Sequence, residues 1–354
     1  MGIQTPPESE LYFFTSNDIH TNPLNRVFYL SDNEIWFNFF TAEGRGALVC
    51  FDINGDYVGT LNVTIDGEYP SVICVNHVKD RMMIGYIDYG TNRAHIVVID
   101  DQGNEIVRRG FGSDVYAIQM VKSERGILFA GGIDSSDGMS VLYLAEVDSH
   151  GNVTFEYSEA LATLENDHAY ISRTMISSDS NKHYAMVKSG VYGSLMAEER
   201  LICLDSKGDK LWETDIDETI HSNGIAVRDG HIVVVGSQGS RDEYGCLINQ
   251  KGTVLHYDQD GNLLWQHVND DIQFFYFALA APNGCYAISN IMGIQANVSC
   301  FDEYGNVQLP GSLTLPDMVV HTSFAVTDEG FLAAIGKTTD TLYIRIFSTR
   351  QSHK

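Results

Sequence analysis

A short motif recurs six times along the chain, and this repetition restricts the folds that the chain can adopt. Each copy is an apolar, strand-like run followed by Asp, two variable residues, Gly and Asn or Asp. The copies are FDINGD at 51–56, IDDQGN at 99–104, VDSHGN at 147–152, LDSKGD at 204–209, YDQDGN at 257–262 and FDEYGN at 301–306. The spacing of 44–57 residues is typical of a repeated unit of several strands.

The motif has the chemistry of a tight hairpin turn. The Asp side chain can accept bonds from the following backbone, and Gly with Asn or Asp supplies a positive φ. Two further strand candidates precede each motif and a short strand follows it, as in HIVVVGS at 231–237 and NLLW at 262–265. Four strands per repeat predict an all-β, seven-bladed β-propeller of four-stranded antiparallel blades.

The seventh repeat, which ends in TLYIRIF at 341–347, lacks an outermost strand. The segment 10–16 (ELYFFTS) precedes the first full repeat and is predicted to complete the last blade. We therefore expect a single domain over residues 1–354. The predicted blades cover approximately 25–65, 69–110, 114–159, 168–216, 220–269, 273–312 and 320–348 plus 10–16.

The pattern Leu, two residues, Leu-Asp, two residues, Gly, three residues and Trp occurs at 201–212, and the variant Leu-His-Tyr-Asp, two residues, Gly, three residues and Trp occurs at 255–265. In these segments the repeat resembles the quinoprotein-like (PQQ-like) propeller superfamily. The resemblance implies the fold over nearly the whole chain. The hallmarks of quinone-dependent dehydrogenases are missing, because Trp follows the turn in two repeats only, at Trp212 and Trp265, and no two cysteines are adjacent. PQQ is therefore not an expected cofactor.

The charge balance excludes some partners. The 22 basic and 47 acidic residues give a net charge of −25, which repels phosphate backbones, so no nucleic acid partner is expected. The charge favours a small molecule, a peptide or a basic protein surface, although acidity can also serve solubility alone. No apolar run of membrane-spanning length occurs, so no membrane span is expected.

The N-terminus lacks a basic and then apolar secretion signal. This favours a cytoplasmic protein, with a secreted protein whose signal has been removed as the alternative.

The six cysteines lie mostly in or beside apolar strands and form no C-x-x-C pair. They predict buried free thiols rather than disulfides or a zinc site.

In a propeller, the innermost strands begin at the face that carries the central pocket. The polar residues at these positions are the candidate site. The catalytic candidates are His168, His221, His321, Tyr170 and Arg173, and the ligand-binding candidates are Glu68, Tyr69, Asp114, Tyr116, Asn223, Tyr276 and Ser323. The three histidines are also the candidate ligands of a divalent metal.

Two functions follow from this pattern. The first is a ligand- or protein-binding propeller with a polar, acidic axial pocket lined by His, Tyr and Asp. The alternative is an enzyme of lyase or hydrolase type that uses the channel histidines and a divalent metal. Outside this pocket, His77, His183 and His231 lie beside turns and are predicted to be solvated, and His256 flanks a hairpin turn.

Overall fold

The computed structural model describes most of the chain. The described residues are 9–14, 28–31, 34–40, 45–52, 57–65, 70–88, 90–91, 93–111, 115–134, 140–160, 169–179, 181–191, 197–242, 247–282, 284–289, 295–314, 321–326, 332–337 and 341–347. Within these ranges, all regular structure is β-strand, and the strands form seven four-stranded antiparallel sheets. The predicted all-β propeller fold is confirmed.

The first four blades follow chain order. Blade 1 contains β2 (Phe28–Ser31), β3 (Glu34–Phe40), β4 (Arg45–Asp52) and β5 (Tyr57–Thr64). Blade 2 contains β6 (Pro70–Val78), β7 (Arg81–Asp88), β8 (Arg93–Ile99) and β9 (Glu105–Phe111). Blade 3 contains β10 (Val115–Lys122), β11 (Gly126–Asp134), β12 (Ser140–Asp148) and β13 (Val153–Ala160). Blade 4 contains β14 (Ala169–Asp179), β15 (Lys182–Val191), β16 (Ala197–Asp205) and β17 (Lys210–Ile216).

The remaining three blades include the one that joins the two ends of the chain. Blade 5 contains β18 (Ile220–Arg228), β19 (His231–Arg241), β20 (Leu247–Tyr257) and β21 (Leu263–Asn269). Blade 6 contains β22 (Phe275–Ala281), β23 (Gly284–Ser289), β24 (Gln295–Asp302) and β25 (Val307–Thr314). Blade 7 contains β26 (His321–Val326), β27 (Leu332–Lys337), β28 (Thr341–Phe347) and the N-terminal β1 (Ser9–Phe14).

The N-terminal strand completes blade 7 as predicted. β1 pairs antiparallel with β28, and Tyr12 lies opposite Tyr343. This pairing covers an edge of β28 that would otherwise present unpaired backbone groups.

The Asp-x-x-Gly motifs form the predicted turns. In the turn after β8, Asp100 Oδ1 accepts the backbone N–H groups of Gln102 and Asn104 at 2.9 and 2.8 Å. Gly103 has a φ of +82°, in the region that favours glycine. The same arrangement recurs at Asp148, Asp205, Asp258 and Asp302.

In the outer strands β5, β9, β13, β17 and β21, an apolar side chain packs beneath the turn of the next blade. Trp212 lies against Gly261, where a Cβ atom would come within 2.8 Å of the indole ring. The Trp212 indole N–H also donates to the Gln259 carbonyl at 2.9 Å. Trp265 repeats both contacts against Gly305 and the Glu303 carbonyl, so these rings fasten blade 4 to blade 5 and blade 5 to blade 6.

The hydrophobic core lies in layers between adjacent blades. One cluster joins Leu128 and Leu142 of blade 3 to Ala185 and Ile202 of blade 4, and similar clusters join the other described neighbours. The first strands of consecutive blades are in contact from β2 and β6 through to β22 and β26, which places them innermost. Alternating residues on the inner strands therefore face one of two neighbouring blades, whereas the outermost strands β9, β13, β17 and β21 expose many of their residues to solvent.

The structure corrects one prediction about the histidines. His183 was expected to be solvated, but it is 1% exposed, with its ring 4.8 Å from that of Phe155 of blade 3. It occupies the second position of β15, which already faces the layer between the blades. Of the six cysteines, Cys50, Cys74, Cys203, Cys285 and Cys300 are free thiols, and four of these are buried, as predicted. Cys246 lies outside the described residues.

Candidate functional site

The innermost strands of blades 2 to 6 share an irregularity near their starts. The pairing register shifts between Val72 and Cys74 in β6, and equivalent shifts occur in β10, β14, β18 and β22. In β18 and β22 the extra residues are Asn223 and Tyr276. A β-bulge re-aims side chains relative to a regular strand. The bulges therefore give these strand starts a geometry that simple alternation does not predict.

Blade 4 places three charged residues in one row across its inner strands. Arg173 of β14 lies opposite Lys188 of β15, which lies opposite Glu199 of β16. Residues directly opposite in an antiparallel sheet project from the same face. Lys188 Nζ is 3.2 Å from Glu199 Oε1, and the side chain of Glu199 is only 4% exposed. The row therefore holds a mostly buried ion pair with a second cation beside it.

The first residues of β18 in blade 5 contact this row of charged residues. His221 Nδ1 lies 2.5 Å from Lys188 Nζ, and Glu199 Oε2 accepts the backbone N–H of Ser222 at 2.8 Å. Arg173 donates from a terminal guanidinium nitrogen to Asn223 Oδ1 at 3.1 Å. We call Arg173, Lys188, Glu199, His221 and Asn223 the axial cluster.

Asn223 links the cluster to a third blade. Its Nδ2 group donates to the carbonyl of Phe275, the first residue of β22, at 3.1 Å. Asn223 is buried and uses both ends of its amide, so it holds Arg173 in a defined position. Tyr276 follows Phe275 and is near enough to the guanidinium to influence its pKa.

The electrostatics of the cluster determine which groups are charged. Burial lowers the pKa of His221, and the nearby cations Lys188, Arg173 and Arg241 lower it further, against the opposing effect of Glu199. Burial also lowers the pKa of Lys188, while the carboxylate of Glu199 raises it. His221 is therefore a neutral imidazole near pH 7, beside an ammonium group that Glu199 keeps charged.

The neutral ring has a defined tautomer. Because the Lys188 ammonium has no acceptor atom, it must donate to His221 Nδ1. The ring proton then sits on Nε2, which has no hydrogen-bond partner among the described residues. His221 consequently presents an N–H donor.

The cluster has a net charge of about +1 in a chain whose overall charge is −25. Arg173 and Lys188 supply two cations, and Glu199 supplies one carboxylate. The side chain of Arg173 is exposed to solvent, although burial lowers the pKa of its guanidinium. Cations and N–H donors that converge at one place can bind a carboxylate or a sulfate.

The structure gathers some of the predicted site residues and separates others. Arg173, His221 and Asn223 come together, and Tyr276 is close to Arg173. Tyr170 is partly buried on β14, three residues before Arg173. Tyr116 lies on blade 3, where its hydroxyl donates to Ser140 Oγ.

Six predicted residues stay untested. Glu68, Tyr69, Asp114 and His168 lie outside the described residues. For His321 and Ser323 only the backbone is described, at the first and third positions of β26. In the described part of the chain, no three His, Cys, Asp or Glu side chains are placed to hold a metal ion. The metal site therefore remains a prediction.

Sequence reasoning missed Lys188 and Glu199. Both lie on the second and third strands of blade 4, whereas the candidates were sought only at the starts of innermost strands. For Lys188 the available signal was a lysine inside the mostly uncharged strand β15. Glu199 gave no such signal, because it lies between the charged residues Glu198 and Arg200. The cross-strand register that aligns Lys188 and Glu199 with Arg173 is a property of the folded sheet.

Comparison with known proteins identifies the fold. No protein-family model matches the sequence, and no curated protein is similar to it in sequence. Among solved structures, the polysaccharide lyase Uly1 is similar with a TM-score of 0.61 at 9% identity, over 98% of this chain and 100% of that one.

Two further structures show the same likeness. A PL25 ulvan lyase bound to -[GlcA(1-4)Rha3S]- has a TM-score of 0.55 at 9% identity, over 98% of this chain and 96% of that one. The β-propeller domain of the trilobed protease from Pyrococcus furiosus has a TM-score of 0.51 at 11% identity, over 93% and 97%.

These likenesses establish the class of protein: the chain is a β-propeller. At such low identity they show the fold alone. The resemblance to the quinoprotein-like superfamily remains a prediction. No helix long and apolar enough to cross a membrane occurs among the described residues.

Proposed function

We propose that this protein is a carbohydrate-binding propeller whose axial cluster binds the carboxylate or sulfate of an acidic oligosaccharide. The observation that carries the proposal is the convergence of Arg173, Lys188 and His221 from two blades around the buried carboxylate of Glu199. Glu199 offsets one of the two cations, so the cluster can persist without a ligand and still attract an anion.

The negative charge of the whole chain restricts anion binding to places such as the axial cluster, where cations are concentrated. A net charge of −25 repels anions in general, so an anionic ligand is retained only where local cations outweigh the overall field. A guanidinium matches the planar, two-oxygen geometry of a carboxylate, and the His221 Nε2–H group can donate a further bond. A neutral or cationic ligand would leave these donors unpaired, at a cost in affinity.

The carbohydrate part of the proposal rests on the structural neighbours. Two propellers that cover nearly the same length are polysaccharide lyases, and one of them is bound to a saccharide containing glucuronate and a sulfated rhamnose. Both groups are anions of the kind that the axial cluster suits. This is support by analogy of fold, to which the cluster adds a chemical reason.

Isothermal titration calorimetry with a matched ligand pair tests the proposal. The pair is a cello-oligosaccharide and the same oligosaccharide oxidised to its glucuronate form, which differ at C6 alone. We expect the glucuronate form to bind and Arg173→Gln to weaken it at least about 10-fold, or about 1.4 kcal/mol. Lys251→Gln removes the same charge from a lysine that is 50% exposed on blade 5, and it should leave binding unchanged.

Any of the following results would contradict the proposal. One is equal binding of the oxidised and neutral oligosaccharides. Another is an equal effect of Arg173→Gln and Lys251→Gln, which would reduce the cluster to a nonspecific contribution to surface charge. Failure of every acidic saccharide to bind, including sulfated ones, would also end it.

A second candidate is a lyase that acts on the same ligand, and the fold of the two lyase neighbours favours it. In β-elimination, a base removes the C5 proton beside the carboxylate. The electron pair forms a C4=C5 double bond, the C4–O bond breaks, and the leaving oxygen takes a proton. Arg173 would neutralise the carboxylate, and His221 in its Nε2–H form suits the acid that protonates the leaving oxygen.

Binding ranks above the lyase because no base is assigned to the described cluster. His221 Nδ1 already accepts the Lys188 proton, and Nε2 is protonated. Incubation with the glucuronate oligosaccharide separates the chemistries. A lyase produces the ultraviolet absorbance of an unsaturated uronate together with new reducing ends, a hydrolase produces reducing ends alone, and a binding protein produces neither.

A further inference from the structure

A recess lies at the other end of blades 5 and 6, far from the axial cluster. It is a small cleft that opens to solvent at the rim that carries the Asp-x-x-Gly turns. We call it the rim cleft, and its lining includes Asp229, His231, His256, Trp265, Asp302 and Glu303. His221 is the second residue of β18 and belongs to the axial cluster, whereas Arg228 ends the same strand beside the rim cleft, so the two sites are separate.

Comparison of the blades shows what is unusual here. At one register position, blade 4 places Tyr184 opposite Cys203, and blade 6 places Tyr286 opposite Cys300. In both blades the tyrosine lies directly opposite the cysteine, and each of these side-chain pairs is largely buried.

Blade 5 has Val233 and His256 at the corresponding positions. Both His256 and Cys203 lie opposite a tryptophan of the outer strand, which confirms the equivalence. Blade 5 therefore has an imidazole where its neighbours have a thiol. It also has Val233 where its neighbours have a tyrosine.

His256 is left with one unpaired polar atom. Its Nε2 lies 3.1 Å from His231 Nδ1, whereas Nδ1 is buried and has no hydrogen-bond partner in the described ranges. The residue is 2% exposed and lines the cleft. Burial, with a smaller contribution from His231, lowers the pKa of His256 to about 4, so the ring is neutral near pH 7.

The charges around the cleft select a cation. Asp229, Asp302 and Glu303 provide three carboxylates against the single guanidinium of Arg228. Asp302 accepts bonds from its own turn at Tyr304 and Asn306, yet its negative charge still acts on the cleft. An anion is therefore disfavoured at this position.

Two other ligand classes fit less well. The Trp265 indole N–H already donates to the Glu303 carbonyl, so it offers no donor to a neutral hydroxylated ligand. A metal ion would need several converging ligands, whereas the described His, Cys, Asp and Glu side chains form no such group and the two histidine nitrogens bond to each other.

We propose that the rim cleft binds a primary ammonium group, which donates one hydrogen bond to Nδ1 of His256 and is neutralised by the surrounding carboxylates. In this arrangement His256 donates from Nε2 to His231, and its Nδ1 atom is the acceptor. An ammonium group is compact and has three donors, which suits one imidazole acceptor and carboxylates on several sides. The group can belong to a free alkylamine or to a lysine side chain of a partner protein.

Histidine ¹⁵N NMR tests the proposal with n-butylammonium as the probe. We expect a saturable shift of the His256 Nδ1 resonance as the amine is added. Tetramethylammonium has the charge but no N–H donor, and butanol has a donor but no charge, so both should bind about 10-fold more weakly or not at all. A lysine-containing peptide that binds more tightly than butylammonium would identify a protein partner, and equal binding would identify a free amine.

Two variants keep the test independent of folding. Val233→Tyr combined with His256→Cys installs the pair that blades 4 and 6 already accommodate, and it should abolish binding while circular dichroism stays unchanged. Glu303→Gln alters an exposed residue and should weaken binding several-fold, whereas Glu218→Gln, an exposed change near the axial end of blade 5, should not. No saturable shift in the native protein, or equal binding by the double variant, would overturn the proposal.

Discussion

Lys188 Nζ and His221 Nδ1 lie 2.5 Å apart, although the two residues belong to different blades. The contact assigns the ring proton of His221 to Nε2, because an ammonium group can only donate. It also joins the ion pair of blade 4 to the start of strand β18 in blade 5. The side chains of the axial cluster are thus positioned by a bond between blades, and several predictions depend on it.

Removing the lysine should change the titration of its partner. Lys188→Met deletes a cation that lowers the pKa of His221 and leaves the Glu199 carboxylate, which raises it. The pKa of His221 should therefore rise, as measured by the ring proton shifts in an NMR pH titration. Lys251→Met, on the exposed face of blade 5, serves as the control and should leave this pKa where it is. A downward shift would contradict the proposed role of Lys188.

Breaking the buried ion pair should cost stability. Glu199→Gln leaves the Lys188 ammonium partly buried without its counter-charge, and we expect a loss of about 3 kcal/mol in the free energy of unfolding. The double variant Glu199→Gln/Lys188→Met should lose less than the sum of the single variants, because no buried charge is left unpaired. Urea unfolding measures all three, and strict additivity would show that the pair is not coupled.

The contact between Trp212 and the turn of blade 5 should be sensitive to one methyl group. Gly261→Ala places a Cβ within 2.8 Å of the indole at a φ of +83°, so we expect a loss of about 2 kcal/mol or more. Gly59→Ala is the matched control, since no atom lies within 4 Å of its Cβ position and its φ is not positive. Thermal unfolding distinguishes them, and equal melting temperatures would refute the packing argument.

Stability should fall with acid partly because of His256. The folded-state pKa of about 4 lies below the unfolded value of about 6.5. The contribution of neutral His256 to the free energy of unfolding is therefore complete above about pH 6.5 and is lost as the pH falls through 4. The loss amounts to about 3 kcal/mol. His256→Cys should flatten the decline in the urea midpoint between pH 7 and pH 4.5. Since His221 and His183 also have a lowered pKa, some decline should remain, and an unchanged slope would contradict the prediction.

Much of the architecture was predictable because its signals are local. The turn chemistry of Asp100, Gly103 and Asn104 acts within five residues, and it recurs at each described motif. The closing strand was found by counting strands, and the structure places it at Ser9–Phe14 beside Thr341–Phe347. Local hydrogen bonding and periodic repetition need no knowledge of distant contacts.

The sites were only partly predictable because they form between blades. The proximity of His221, Asn223 and Arg173 was predictable from their positions at the starts of innermost strands, but the contacts with Lys188 and Glu199 were not. The burial of His183 and His256 was missed for the same reason, since a residue beside a turn can still face the layer between two blades.

By itself, the sequence determined a repeated four-stranded unit, its turns and the way the two ends meet, because these depend on residues that are close along the chain. The tertiary structure alone decided which charges meet. Strand register decides the bulge at Asn223 and the row from Arg173 to Glu199. The packing of one blade against the next leaves Nδ1 of His256 buried without a hydrogen-bond partner among the described residues. Those contacts join residues far apart in sequence, and no local rule specifies them.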